Sequence, residues 1–131
     1  MRSRRRKAKE MITVVDDDPS VRKALSRLIR AAGYDVAAYE TAEQFLAAGP
    51  DSDSDCLILD VHLPGVSGLD LQAQLGEANR KCPVVFITAF DDKKARSHAL
   101  AQGAVDFLYK PLDSERLLEV IDKAVRNDLR Q

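Results

Sequence analysis

Three consecutive acids, Asp16, Asp17 and Asp18, follow the apolar run "MITVV" at residues 11–15, and a fourth, Asp60, ends "CLILD" at 56–60. Thr88 closes "PVVFIT", and Lys110, followed by Pro111, comes directly after "VDFLY". Carboxylates gathered in one place repel, and each raises the cost of ionising the others unless a cation joins them. An all-oxygen group of this kind suits Mg²⁺ or Mn²⁺ better than zinc, because hard cations take carboxylate, carbonyl and water oxygens. A lysine ammonium and a threonine hydroxyl beside it are suited to holding a tetrahedral dianion against a carboxylate. Electrostatic stabilisation and positioning are most of what phosphoryl transfer requires of a protein. A carboxylate can itself be the nucleophile, giving an aspartyl phosphate.

That chemistry requires distant segments to end at one place. The four runs at 11–15, 56–60, 83–88 and 105–109 are short and almost continuously apolar or β-branched, which suits strands buried on both faces of a parallel sheet. "YDVAAY" at 34–39 is weaker and is placed at an edge. Between the runs the period becomes helical: Val21, Ala24, Leu25, Leu28, Ile29 and Ala32 mark one face of a first helix. Asp18 is its expected N-cap, Pro19 suits its first turn and Gly33 its end. "TAEQFLAAG" opens with a capping-box pattern, Thr41 to Gln44, and stops at Gly49-Pro50. Further helices are expected over about 68–79, 92–102 and 113–127, the last carrying Leu117, Leu118, Ile121, Ala124 and Val125.

Strand and helix thus alternate five times. With right-handed crossovers this predicts an α/β doubly wound five-stranded parallel sheet covered by helices on both faces. Its ligand site lies beyond the carboxyl ends of the strands, where strand order reverses. Asp16, Asp17, Asp60, Thr88 and Lys110 then converge on one rim. Acids at strand ends can instead cap helices and face water, and a threonine in a strand is ordinary. The functional reading is preferred because the threonine and lysine fall where that rim needs them.

A chain of 131 residues is the size of one domain, and 45% hydrophobic with 31% charged residues is a soluble globular composition. No apolar run approaches the roughly 20 residues that span a bilayer, so neither a membrane span nor a signal peptide is expected, and a cytoplasmic location is. Twenty Lys and Arg nearly balance 21 Asp and Glu. The balance argues against direct DNA binding by this chain. Arg2, Arg4, Arg5, Arg6, Lys7 and Lys9 crowd the first ten residues, which read as a basic, disordered N-terminal tail ahead of a domain at 11–127, with 128–131 as a C-terminal tail. Cys56 and Cys82 have no metal or redox spacing and read as reduced packing residues.

The set "VVDDDPSVRKAL", "LILDVHLPGVSGLDL", "VVFITAF" and "GAVDFLYKPL", in this order and spacing, resembles the CheY-like receiver domains of two-component response regulators, over residues 11 to about 127. In detail it is similar to the receivers of LuxR/FixJ-type regulators. The resemblance implies a flavodoxin-like strand order of 2-1-3-4-5. It makes Asp60 the phosphoacceptor, with Asp17 a direct metal ligand, Asp16 acting through water, and the His62 backbone carbonyl completing the protein's share. Thr88 and Lys110 match the phosphate-binding positions, Lys110-Pro111 matches a peptide that is usually cis, and Phe107 matches an aromatic switch residue. Without the resemblance, Phe107 would be read as core, and Tyr109 lies on the same strand face.

The function so implied is that of a phosphorelay switch rather than a metabolic enzyme. It takes a phosphoryl group from a sensor histidine kinase with Mg²⁺ or Mn²⁺, and has weak self-phosphorylation and self-dephosphorylation activity. Its output would be a downstream protein or a missing output domain, with a phosphorylation-dependent homodimer as one form. Two other classes stay open: a haloacid-dehalogenase-like phosphohydrolase using Asp16 and Asp18 as an Asp-x-Asp pair, and a phosphorylation-independent interaction domain. By the same resemblance His62 and Phe90, two residues after Asp60 and Thr88, overhang the phosphoryl group; either they slow its hydrolysis or both side chains point into solvent and affect nothing. Gly65 and Gly68 read as punctuation of the loop after Asp60, stiffened by Pro64.

Overall fold

The computed structural model describes residues 9–48, 54–78 and 82–130. Arg2 to Lys7 of the basic tail, the Gly49-Pro50 stop and Asn79 lie outside the described residues. Among the described residues ten elements alternate: β1 (Met11–Val15), α1 (Pro19–Ala31), β2 (Asp35–Tyr39), α2 (Ala42–Ala47), β3 (Cys56–Asp60), α3 (Gly68–Glu77), β4 (Val84–Thr88), α4 (Lys93–Ala101), β5 (Asp106–Tyr109) and α5 (Ser114–Arg130). The strands form one parallel sheet in the order β2-β1-β3-β4-β5, the doubly wound order that the resemblance implied.

Successive side chains of a strand point to opposite faces, so a continuous apolar run fills two cores at once. Val15, Leu57, Leu59, Val84, Phe86 and Phe107 pack in the layer that holds Phe45 of α2, Leu71 and Leu75 of α3, and Ala95 and Ala99 of α4. Ile12, Val14, Cys56, Ile58, Val85 and Ile87 fill the other layer with Leu25 and Ile29 of α1 and Leu117, Ile121 and Ala124 of α5. Each large apolar side chain fully buried here contributes about 1.5–3 kcal/mol. A one-residue slip would exchange the two sets, so the register is specified, with Asp60 opposite Ile87 and Thr88 opposite Tyr109.

The helix signals translate with small differences. The Asp18 side chain accepts the Ser20 N–H at the start of α1, and Gly33 takes φ +102 after its end. Leu25 and Ile29 are buried, whereas Ala24 and Ala32 of the expected face are exposed, because the stripe that reaches the sheet is narrow and these positions lie at its margin. Thr41 caps α2 as expected, but Gln44 Oε1 accepts from the Glu40 N–H at 2.9 Å, one residue before the position a full capping box requires. The reciprocal box forms instead at α3, between Ser67 and Asp70. Helix α5 continues through Arg130, so 128–130 are helical where a tail was expected. Cys56 is buried and Cys82 partly so.

Candidate functional site

The strand order reverses between β1 and β3, because the chain leaves β1 for β2 on one side and returns to β3 on the other. Asp16 and Asp17 follow β1 and Asp60 ends β3, so the crevice at this reversal is lined by acids. One carboxylate oxygen from each of the three lies within 4.8 Å of the others. Asp16 is fully buried and Asp60 nearly so, while Asp17 faces solvent.

Local bonds hold each group in place. Asp16 Oδ1 accepts the Asp18 N–H at 2.8 Å, and Arg22 of α1 donates to the Asp16 backbone carbonyl at 2.7 Å. Asp60 Oδ1 accepts the His62 N–H at 3.0 Å. The Lys110 ammonium bridges the two buried acids, 2.9 Å from Asp16 Oδ2 and 3.2 Å from Asp60 Oδ2. Its backbone N–H donates to the Thr88 carbonyl at 2.7 Å, and the Lys110-Pro111 peptide is cis. Thr88 is fully buried, and its Oγ1 accepts the Phe90 N–H at 3.1 Å. The hydroxyl hydrogen can still be donated.

Burial is the strongest influence on Asp60 and pushes its pKa above the ordinary carboxylate value; the charge of Asp16 adds to this, and the His62 N–H and Lys110 offset part. For Lys110, burial alone pulls the pKa down, but close contact with Asp16 and the charge of Asp60 outweigh it and the net shift is upward. Asp16 Oδ2 is buried and accepts no well-aligned hydrogen bond, so it is held by charge alone. That atom, the three converging carboxylates and the all-oxygen donor set fit a hard divalent cation.

Glycine at 68 is a requirement of this geometry. A Cβ there would overlap the Asp60 carbonyl oxygen and stand 3.1 Å from Val61 Cα, so the start of α3 approaches the end of β3 as only glycine allows.

Of the other residues singled out in the sequence, Asp18 is exposed and its carboxylate caps α1. It is thus committed away from an Asp-x-Asp role with Asp16. The His62 and Phe90 rings meet edge to face, with centroids 5.0 Å apart and planes at 90°, and Phe90 is 60% exposed. Phe107 is buried against Phe86 and Tyr109, whereas Tyr109 is the outward aromatic of that strand. The linear spacing did not point to Arg22 or to Glu43, which reaches the loop after β3. No local motif marks either, because each acts through a backbone group brought near only by folding.

The family model for the response regulator receiver domain matches residues 12–122. Nodulation protein W of Bradyrhizobium diazoefficiens is 40% identical over 120 residues, covering 92% of this chain and 53% of that protein. The response regulator protein TodT of Pseudomonas putida is 41% identical over 116 residues, covering 88% of this chain and 51% of that protein. Among solved structures, the response regulator StyR superposes with a TM-score of 0.87 at 39% identity, covering 94% of this chain and 62% of that one. The FixJ-N structure gives 0.83 at 32% identity, with 92% of this chain and 96% of that one covered. The chain spans about half the length of the curated relatives it matches. With the family model over most of its length and the strand order of that fold, this chain belongs to the response regulator receiver domains of two-component systems.

Proposed function

We propose that this receiver takes a phosphoryl group onto Asp60 from the phosphohistidine of a sensor histidine kinase, in a reaction that needs Mg²⁺ or Mn²⁺. The observation that carries the proposal is the nearly buried Asp60 carboxylate, held 3.2 Å from Lys110 within the acidic crevice. A carboxylate oxygen of Asp60 attacks phosphorus, the P–N bond to the histidine breaks, and the imidazole leaves with its electron pair and takes up a proton. Asp16, Asp17, Asp60 and the His62 backbone carbonyl are the residues that would hold the metal, which supplies positive charge for the phosphoryl oxygens. Lys110 supplies a second positive charge and Thr88 a hydroxyl donor, and both favour charge that builds as the group transfers.

Thr88 is drawn toward the new anion and Phe107 repacks, which alters the face made by α4, β5 and α5. That face then engages a downstream protein, an output domain or a second copy of the chain. In this reading the protein works in the cytoplasm, has only weak self-phosphorylation and self-dephosphorylation activity, and makes no direct DNA contact through this domain. Among the described residues no helix is long and apolar enough to cross a membrane.

Incubation with Mg²⁺ and acetyl phosphate, followed by intact-mass measurement, tests the proposal. The expected result is an adduct of about 80 Da, the mass of one phosphoryl group, that is lost in Asp60→Asn and in EDTA. Absence of any adduct favours an interaction domain that works without phosphorylation. Turnover of the donor that survives Asp60→Asn and is lost in Asp16→Asn favours the hydrolase reading.

A further inference from the structure

The loop between β3 and α3 carries the His62 carbonyl and must keep it in place. Its ends are tied by backbone bonds, Val61 N–H to Ile87 O and Gly68 N–H to Val61 O, both 3.1 Å, and Leu63 is buried beneath it. Its outer arch, 64–66, has a different tie. Glu43, in the first turn of α2, accepts the Val66 N–H on Oε2 at 3.1 Å across 23 residues of sequence. The fit is close: Gly65 takes φ +72, and a Cβ there would overlap that same oxygen. Glu43 and Gly65 therefore work as one packed contact.

We infer that Glu43 is a positioning residue for the metal site, holding the β3–α3 loop so that the His62 carbonyl faces the acidic crevice. The inference rests on the proposed role of that carbonyl. Removing partners that orient metal ligands typically costs about 10–100-fold in affinity. Glu43 acts through a short loop rather than directly on a ligand, so an effect smaller than that is expected, about three- to tenfold. A purely local role is the alternative, since a carboxylate in a first turn favours the helix through its dipole.

Reach and charge separate the two. A glutamine side chain in place of Glu43 would keep the length and an acceptor oxygen without the charge, whereas an aspartate would keep the charge and fall one methylene short. Mg²⁺ titrations of wild type, Glu43→Gln, Glu43→Asp and Glu43→Ala, followed by the His62 and Val66 amide NMR signals, decide between them alongside thermal melts in EDTA. The expected result is near wild-type Mg²⁺ affinity for Glu43→Gln and a three- to tenfold loss for Glu43→Asp and Glu43→Ala. Wild-type affinity in Glu43→Asp, or a loss in Glu43→Gln equal to that in Glu43→Ala, would overturn the inference, as would a wild type that binds no Mg²⁺. A wild type that binds Mg²⁺ but takes no phosphoryl group would refute the phosphoacceptor proposal and leave the ranking of the Glu43 variants readable.

Discussion

Replacing Lys110 by methionine keeps most of the stem and removes the only cation that bridges Asp16 and Asp60 among the described residues. At an effective dielectric of about 20, the contacts of 2.9 and 3.2 Å each amount to roughly 5–6 kcal/mol of gross attraction. The net loss is far smaller, because the ammonium is itself desolvated and an abandoned carboxylate can take up a proton instead of remaining charged. Protonating one ordinary carboxylate at neutral pH costs about 4 kcal/mol, which sets the ceiling. Lys110 retains 20% of its side-chain exposure, and water recovers part of the loss, so about 2–3 kcal/mol is expected. Urea unfolding of Lys110→Met and wild type in EDTA measures it.

The pH dependence has a definite sign. The folded-state pKa of Lys110 is raised, so its contribution is complete below the ordinary lysine value and is lost only as pH rises through the folded value. In the acidic to neutral range the lysine stays charged, so a change in the difference between mutant and wild type reports the groups around it, chiefly the two carboxylates it bridges. Asp60, whose pKa is raised chiefly by burial, takes up a proton as pH falls and then has no charge for the lysine to offset, so the deficit of the mutant should shrink on acidification. Mg²⁺ should also reduce it, because the mutant's acids have lost the competing ammonium and bind the cation more tightly, and a ligand stabilises the folded state in proportion to its affinity. A deficit below about 1 kcal/mol, or one unmoved by pH and by Mg²⁺, would refute the reasoning.

Asp60→Asn should fold and, in metal-free buffer at neutral pH, melt no earlier than wild type, since it removes a charge whose burial is unfavourable; an earlier melt would contradict this. Asp17→Ala should bind Mg²⁺ more weakly than wild type, with one ligand and one negative charge fewer, and identical titrations would exclude Asp17 as a ligand. Beryllofluoride, which mimics the phosphoryl group, should move amide NMR signals across residues 88–112, and an unchanged spectrum there would exclude coupling from Thr88 to β5. His62→Asn with Phe90→Glu should shorten the lifetime of phospho-Asp60, because the edge-to-face pair is replaced by polar groups able to hold an attacking water. An equal or longer lifetime after donor removal would refute that role.

The layout of the fold was legible in the linear sequence because two periodicities dominate it. Runs such as "CLILD" have apolar residues at both parities, so they have to be strands with helices on either side, and the helical stripe through Leu25 and Ile29 supplies one of those layers. Asp16, Asp17, Asp60, Thr88 and Lys110 could be singled out for the same reason, since each sits where such a run stops and a parallel sheet gathers those ends. Loop and surface contacts were not legible, because they follow no period. Nothing in "TAEQFL" says that Glu43 reaches Val66 or that Gln44 bonds Glu40 instead of closing its box, and nothing in "VRKAL" aims Arg22 at the Asp16 carbonyl. The burial of Phe107 and exposure of Tyr109, two residues apart on one strand face, were decided by what lies over each: Phe86 and the packed layer around it cover the first, and the rim of an edge strand leaves the second open. A sequence records which side chains prefer burial and at what spacing, and that suffices to order the sheet and gather its ends. Which backbone groups and rings then meet depends on distances between elements, and those are set only when both faces of the sheet are packed.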